Sequence, residues 1–372
     1  MPAGIYIHVP FCMAKCQYCD FYSIVGNETT VDGFAGALLS EIEILGRSKW
    51  KERVYNTIYF GGGTPPLLGD KNISRVLQSI RGRFNISPRS EIAMEINPET
   101  SSPEFFQALR EFGLNRLSIG VQSFDNDQLQ ILGRIHSVNS AVEAIDNAFA
   151  AGFENISLDL IFGIPGQSIE SWRATLDQAI AKNPTHISAY GLTIEKGTPY
   201  HKMVDSGELA LVDDDNQAEM YSATNEMLSS AGYKRYEVSN FAKPGFECRH
   251  NFKYWRDDKY VGLGPSAHSY DGEKRTANQK NLDKYIANLG KGKLPISFRE
   301  TLTDKQRAEE WLLLGLRLAE GIDYNLAKEV INDQVKTDFI KQGYLRKKLN
   351  KIALTDKGFL MADEIIVKLL KS

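Results

Sequence analysis

Short apolar runs with alternating polar positions recur through the first half of the chain, each followed by a longer stretch of helical spacing. Ile5, Ile7 and Val9 alternate with Tyr6 and His8, a period of two that predicts a strand over 4–9, and Pro10 stops it. Similar runs predict strands over 57–60, 91–96, 116–121, 156–162 and 186–192. Between them, 34–46, 72–83, 103–112, 139–151 and 168–182 carry apolar residues at helical spacing. This alternation predicts a parallel sheet of about six strands with crossover helices. Six such units, without two more, point to an incomplete barrel rather than a closed eightfold one; periodicity alone does not separate that from a doubly wound sheet.

The pattern changes after a helical stretch at 213–232. Residues 233–300 are less regular and rich in aromatic, glycine and basic residues. An amphipathic helix follows over 304–319, then short helices with two small strands at 344–346 and 352–354 and a final helix, a winged-helix-like order. The expected organisation is therefore an α/β core over 1–235, a connecting segment over 236–300 and a small α+β domain over 301–372.

Composition narrows the chemistry. The 372 residues carry a formal net charge of −3 with a pI near 6.1, which argues against a general nucleic-acid binder. No apolar run reaches the eighteen or so residues needed to span a bilayer, and no basic segment followed by an apolar core opens the chain. The expectation is a cytoplasmic protein with its thiols free for metal.

Three of the four cysteines, Cys12, Cys16 and Cys19, form a C-x3-C-x2-C cluster on the loop after the first predicted strand, at its carboxyl end. Three thiolates suit an iron–sulfur cluster with one iron left open to another ligand. The rival reading is zinc, which usually takes four N or S ligands; the only other cysteine, Cys248, lies far along the chain. Gly61-Gly62-Gly63-Thr64-Pro65 follows the second strand and lets backbone approach a ligand closely, or is a plain tight turn. Glu95 and Asn97, Gln122 and Ser123, and Asp159 are polar residues in or just after apolar strands, and Arg134 is suited to pair a carboxylate. Taken singly, Asp159 reads equally as a structural hydrogen-bond partner. Further on, Cys248-Arg-His250-Asn251-Phe-Lys-Tyr254-Trp255 packs a thiol, an imidazole, an amide and two aromatic rings into eight positions. An imidazole ligates heme iron and flat rings stack on a porphyrin, but a histidine beside aromatics is also an ordinary packed residue.

Cys12-Met-Ala-Lys-Cys16-Gln-Tyr18-Cys19-Asp-Phe21 resembles the signature of the radical S-adenosylmethionine (SAM) superfamily, in its coproporphyrinogen oxidase-like branch. The resemblance implies the incomplete (β/α)6 barrel rather than the doubly wound sheet. It implies a 4Fe–4S cluster on Cys12, Cys16 and Cys19. It also implies a SAM site drawn from Tyr6, Tyr18, Gly62, Gly63, Thr64, Glu95, Gln122, Arg134 and Asp159. The H-N-x-x-Y-W stretch is similar to that of the heme chaperones in this branch, which implies heme at His250, with Cys248, Asn251, Tyr254 and Trp255 as neighbours. Phe21 stands where the dehydrogenases of the branch carry a fourth cysteine. The implied function is binding of heme and its transfer to recipient hemoproteins, with peripheral membrane contact where those assemble and no nucleic-acid partner. The alternatives are oxidative decarboxylation of coproporphyrinogen III propionates or radical chemistry on another substrate.

Overall fold

A computed structural model describes residues 1–371. Six parallel strands pair in sequence order: β1 (Ala3–Val9), β2 (Val54–Gly62), β3 (Asn85–Ile96), β4 (Arg116–Gln122), β5 (Ile156–Phe162) and β6 (His186–Gly191). The crossovers contain α1 (Glu28–Leu45), α2 (Asp70–Arg83), α3 (Pro103–Glu111), the short α4 (Asn126–Ile131), α5 (Val138–Ala150) and α6 (Ile169–Ala181). Side chains alternate across a strand, so each strand sends one set toward the helices and the other into the barrel. Ile5, Ile7 and Val9 go outward into one apolar core with Phe34, Leu38 and Ile42 of α1. The inward set is polar: Tyr59, Glu95, Ser118, Asp159 and Ser188 follow one another across β2 to β6. The register pairs Glu95 with Ser118 and Asp159 with Ser188.

The sheet has twelve strands rather than about six. Residues 236–300, expected as a connection, are largely built into it. On one side, β7 (Lys234–Arg235) and β8 (Asn240–Ala242) follow β6 in antiparallel fashion. On the other, β9 (Tyr260–Leu263) lies parallel to β1 and continues into the antiparallel β10 (His268–Tyr270), β11 (Lys274–Asn278) and β12 (Ile296–Thr301). β7 to β10 have two to four residues each, too few to show an alternation. β12 and β7 are the two free edges, so the barrel is open.

Beyond residue 301, helices at Asp304–Gly315, Tyr324–Ala327 and Asp333–Lys341 precede the hairpin of β14 (Leu345–Lys348) and β15 (Lys351–Leu354), which β13 (Ile322–Asp323) completes as a three-stranded antiparallel sheet. This is the winged-helix-like order, with its own core around Leu312, Ile331, Ile352 and Ile366. The Arg235 guanidinium fastens it to the barrel, lying over the rings of Tyr221, Phe241 and Phe359.

Candidate cluster and ligand site

Pro10 cannot donate to the ladder, so β1 ends and the chain turns into the cysteine loop. The neck of that loop is tied: the Ile24 N–H donates to the Pro10 carbonyl at 2.8 Å and the Cys12 N–H to the Ile24 carbonyl at 3.0 Å. The end of β2 holds it from below, where Gly63 N–H donates to Val9 and Thr64 N–H to Phe11. Gly63 has to be glycine here. A Cβ would lie 2.4 Å from the Phe11 carbonyl oxygen and 3.0 Å from Cys12 Sγ. Gly62, at φ 112°, packs its backbone onto the His8 ring.

Cys12, Cys16 and Cys19 are free thiols surrounding a small hollow of about 70 Å³ that Gly62, Gly63, Asn97 and Arg134 also line. Burial pushes the Cys19 thiol up from its ordinary value. Arg134 Nη1 lies 3.5 Å from Cys16 Sγ, and Nη2 donates to Asn97 Oδ1 at 3.0 Å. Asn97 Nδ2 in turn donates to Thr64 Oγ1 at 3.0 Å. This chain ties the cysteine loop to β3, the glycine turn and the loop after β4. Among the described residues, no three or more Cys, His, Asp or Glu side chains are placed to hold one metal ion. Cys248 lies at the other end of the barrel, so zinc has no donor set. A cluster spreads its thiolates over separate irons, and three thiols around one hollow, backed by a guanidinium and unobstructed glycines, fit that requirement.

The hollow opens into a cavity of about 510 Å³ inside the barrel. Of the residues proposed for SAM, the cavity brings together Tyr18, Gly62, Gly63, Glu95, Gln122, Arg134 and Asp159. Glu95 accepts from the Tyr59 hydroxyl at 3.0 Å and the Gly62 N–H at 3.1 Å. Burial, reinforced by the nearby Asp159 charge, pushes its carboxyl up to about 7. Asp159 accepts from Ser118 and Ser157, and burial raises it too. Gln122 holds a left-handed backbone, φ 64°, at the end of β4. Tyr6 and Thr64 do not reach the cavity. The Tyr6 hydroxyl is hydrogen-bonded with His8 Nδ1 and its ring stacks on Tyr59 and His250; Thr64 is buried behind the glycine turn. Sequence reasoning missed Tyr59, Arg116, Ser118, His186 and Ser188 in the cavity wall. The signal for Tyr59 and Ser118 was their inward parity, legible only once the pairing register is known.

The H-N-x-x-Y-W segment closes the opposite end of the barrel. His250 is 1% exposed and touches Gly4 at the start of β1. Five residues of strand, at about 3.3 Å each, put it roughly 16 Å from the cysteine loop. Its Nδ1 is hydrogen-bonded with Thr57 Oγ1 at 2.8 Å and its Nε2 with the Tyr254 hydroxyl at 3.0 Å. Its ring stacks on Tyr59 with centroids 5.0 Å apart. Its backbone N–H donates to Glu91 at 3.0 Å. Burial, helped by Lys253, lowers its pKa to about 3. Both ring nitrogens are thus engaged by neighbours, as a buried imidazole requires. Tyr254 and Trp255 also lie away from the cavity. Cys248 and Asn251, from the same segment, do line it. The Cys248 thiol, 2% exposed, is pushed up to about 12 by burial.

An open parallel barrel with a three-cysteine loop at the carboxyl end of its first strand defines a radical SAM protein. The chain matches the Radical SAM superfamily over residues 6–179 and the HemN C-terminal domain over residues 302–361. It is 38% identical to the heme chaperone HemW of Mycobacterium tuberculosis, covering 99% of this chain and 95% of that one, and 34% identical to HemW of Bacillus subtilis, covering 97% of each. The chain belongs to the HemW family. The structure of coproporphyrinogen III oxidase, HemN, from Escherichia coli superposes with a TM-score of 0.85 over 99% of this chain and 89% of that chain at 24% identity, a likeness of fold. No helix among the described residues is long and apolar enough to cross a membrane.

Proposed function

We propose that this protein is a heme chaperone that binds heme and passes it to recipient hemoproteins, working in the cytoplasm and meeting membranes only peripherally through those recipients. The observation that carries this reading is identity to named heme chaperones along the whole chain. Phe21, 64% exposed where a fourth cysteine would stand, disfavours the coproporphyrinogen dehydrogenase alternative.

In this reading Cys12, Cys16 and Cys19 hold a 4Fe–4S cluster. SAM lies between Tyr18, the Gly62–Gly63 turn, Glu95, Gln122, Arg134 and Asp159. A reduced cluster held there would supply one-electron reduction to a sulfonium bound beside it. The chain's own residues do the positioning. Glu95, ionised, takes an ammonium group and is aimed by Tyr59 and Gly62; Arg134 stands between the cluster loop and Asn97, where it balances negative charge. His250 becomes a heme ligand only if a ring nitrogen is released, Nδ1 from Thr57 as the 248–255 segment leaves the barrel base, or Nε2 from the Tyr254 hydroxyl within that segment. The test is a hemin titration of wild type and His250→Ala, with amide exchange followed over 246–256. Saturable binding that the substitution weakens, with faster exchange in that segment, is expected. Equal binding by both proteins would assign His250 a purely structural role.

A further inference from the structure

We propose that Arg116 forms a carboxylate-binding site at the closed inner end of the cavity, taking an acidic group of the ligand that fills it. Arg116 is the first residue of β4 and is 2% exposed. Its Nη1 donates to Asn155 Oδ1 and to the Phe246 carbonyl, both at 2.9 Å, which fixes the guanidinium plane. Among the described residues Nε and Nη2 have no acceptor, and the side chain lines the cavity. A guanidinium tied at one nitrogen and open along its Nε–Nη2 edge presents two parallel N–H groups, the geometry that takes a carboxylate in bidentate fashion.

The neighbouring carboxylates do not fill that edge. Glu91 lies 4.0 Å from Nη1 and accepts from the backbone N–H groups of Arg249 and His250. Asp159 accepts from Ser118 and Ser157. These N–H groups face the cavity, where a ligand carboxylate would give them the acceptor that the protein does not. Asn251 and Ser188 add neutral polar groups to the same lining. The chemical class is thus a carboxylate. Heme, through a propionate, is such a ligand, and that identification rests on the heme-chaperone reading.

The test has two arms. In the first, hemin and hemin dimethyl ester are titrated into wild type and Arg116→Gln. Hemin is expected to bind wild type about tenfold or more tighter than the ester, the size of a lost charge-assisted pair, and Arg116→Gln is expected to erase the difference. In the second, no heme is present: millimolar propionate is expected to raise the wild-type Tm more than propionamide does. This arm needs no variant, so a misfolded Arg116→Gln does not decide it. Equal affinities for acid and ester, or equal Tm shifts from propionate and propionamide, would overturn the carboxylate site. A propionate-specific shift without any hemin binding would instead keep the site and sink the heme reading.

Discussion

At the scale of single residues, the two ends of the barrel ask opposite things of their side chains. Near the cysteines, Glu95 is aimed but not neutralised; it sits near pH 7 because burial and Asp159 oppose its charge. A ligand ammonium restores the ionised form, so SAM affinity is expected to strengthen as pH rises through about 7. Glu95→Gln should weaken binding and flatten that dependence, as equilibrium dialysis of SAM across this range would read. At the base, His250 bridges Thr57 and Tyr254. His250→Ala leaves two hydroxyls without their partner and opens a void, at an expected cost of about 2–4 kcal/mol in urea unfolding. A loss within error would mean that the base is not pinned by this side chain. The sequence named His250 but not its situation. The motif shows which residue types stand together; whether the imidazole points to a ligand or into the core depends on Thr57 and Glu91, which are brought in from other strands.

At the scale of elements, the strand-end loops make the site. The Gly61–Gly63 turn presses against the cysteine loop, so Gly63→Ala is expected to push Phe11 and Cys12 outward. Iron and sulfide per chain after reconstitution should fall well below wild type, while far-ultraviolet circular dichroism stays unchanged. Full cluster content in that variant would contradict the close packing described here. The six core strands and their helices were legible because each is long enough to show its period, and the strand-end polar residues followed from them. The short strands between 234 and 278 were not, since a run of two to five residues has no period to read. Their place in the sheet comes from pairing with β6 and β1, a tertiary fact. Tyr6 and Thr64 fell behind the cavity wall for the same reason.

At the scale of the whole molecule, buried ionisable groups couple stability to pH. Glu41 under β9, Glu95 in the cavity and Glu237 beside the small domain each stand near 7, raised chiefly by burial. A carboxyl raised on folding is penalised above its folded value and released from that penalty as protons return. Stability should therefore rise as pH falls through about 7 toward the unfolded value of 4.5. His250 and His186 act in the other sense, both lowered by burial. Below about 6.5 their unfolded forms take up protons that the folded forms refuse, which offsets part of the gain from the three carboxyls. Urea midpoints are expected to rise as pH falls from 8 to 5, most steeply just below 7 and more slowly below about 6.5. A midpoint that rises steadily up to pH 8 would mean that these carboxyls are not buried as described.

The central claim, that the chain hands heme to other proteins, is tested most directly by transfer itself. Reconstituted protein loaded with one heme is mixed with an apo-hemoprotein and the Soret band is followed at rising acceptor concentration. The account predicts complete transfer at a rate that grows with acceptor concentration, as a direct handover requires. A rate independent of acceptor and equal to spontaneous heme loss, or no stoichiometric loading at all, would contradict it.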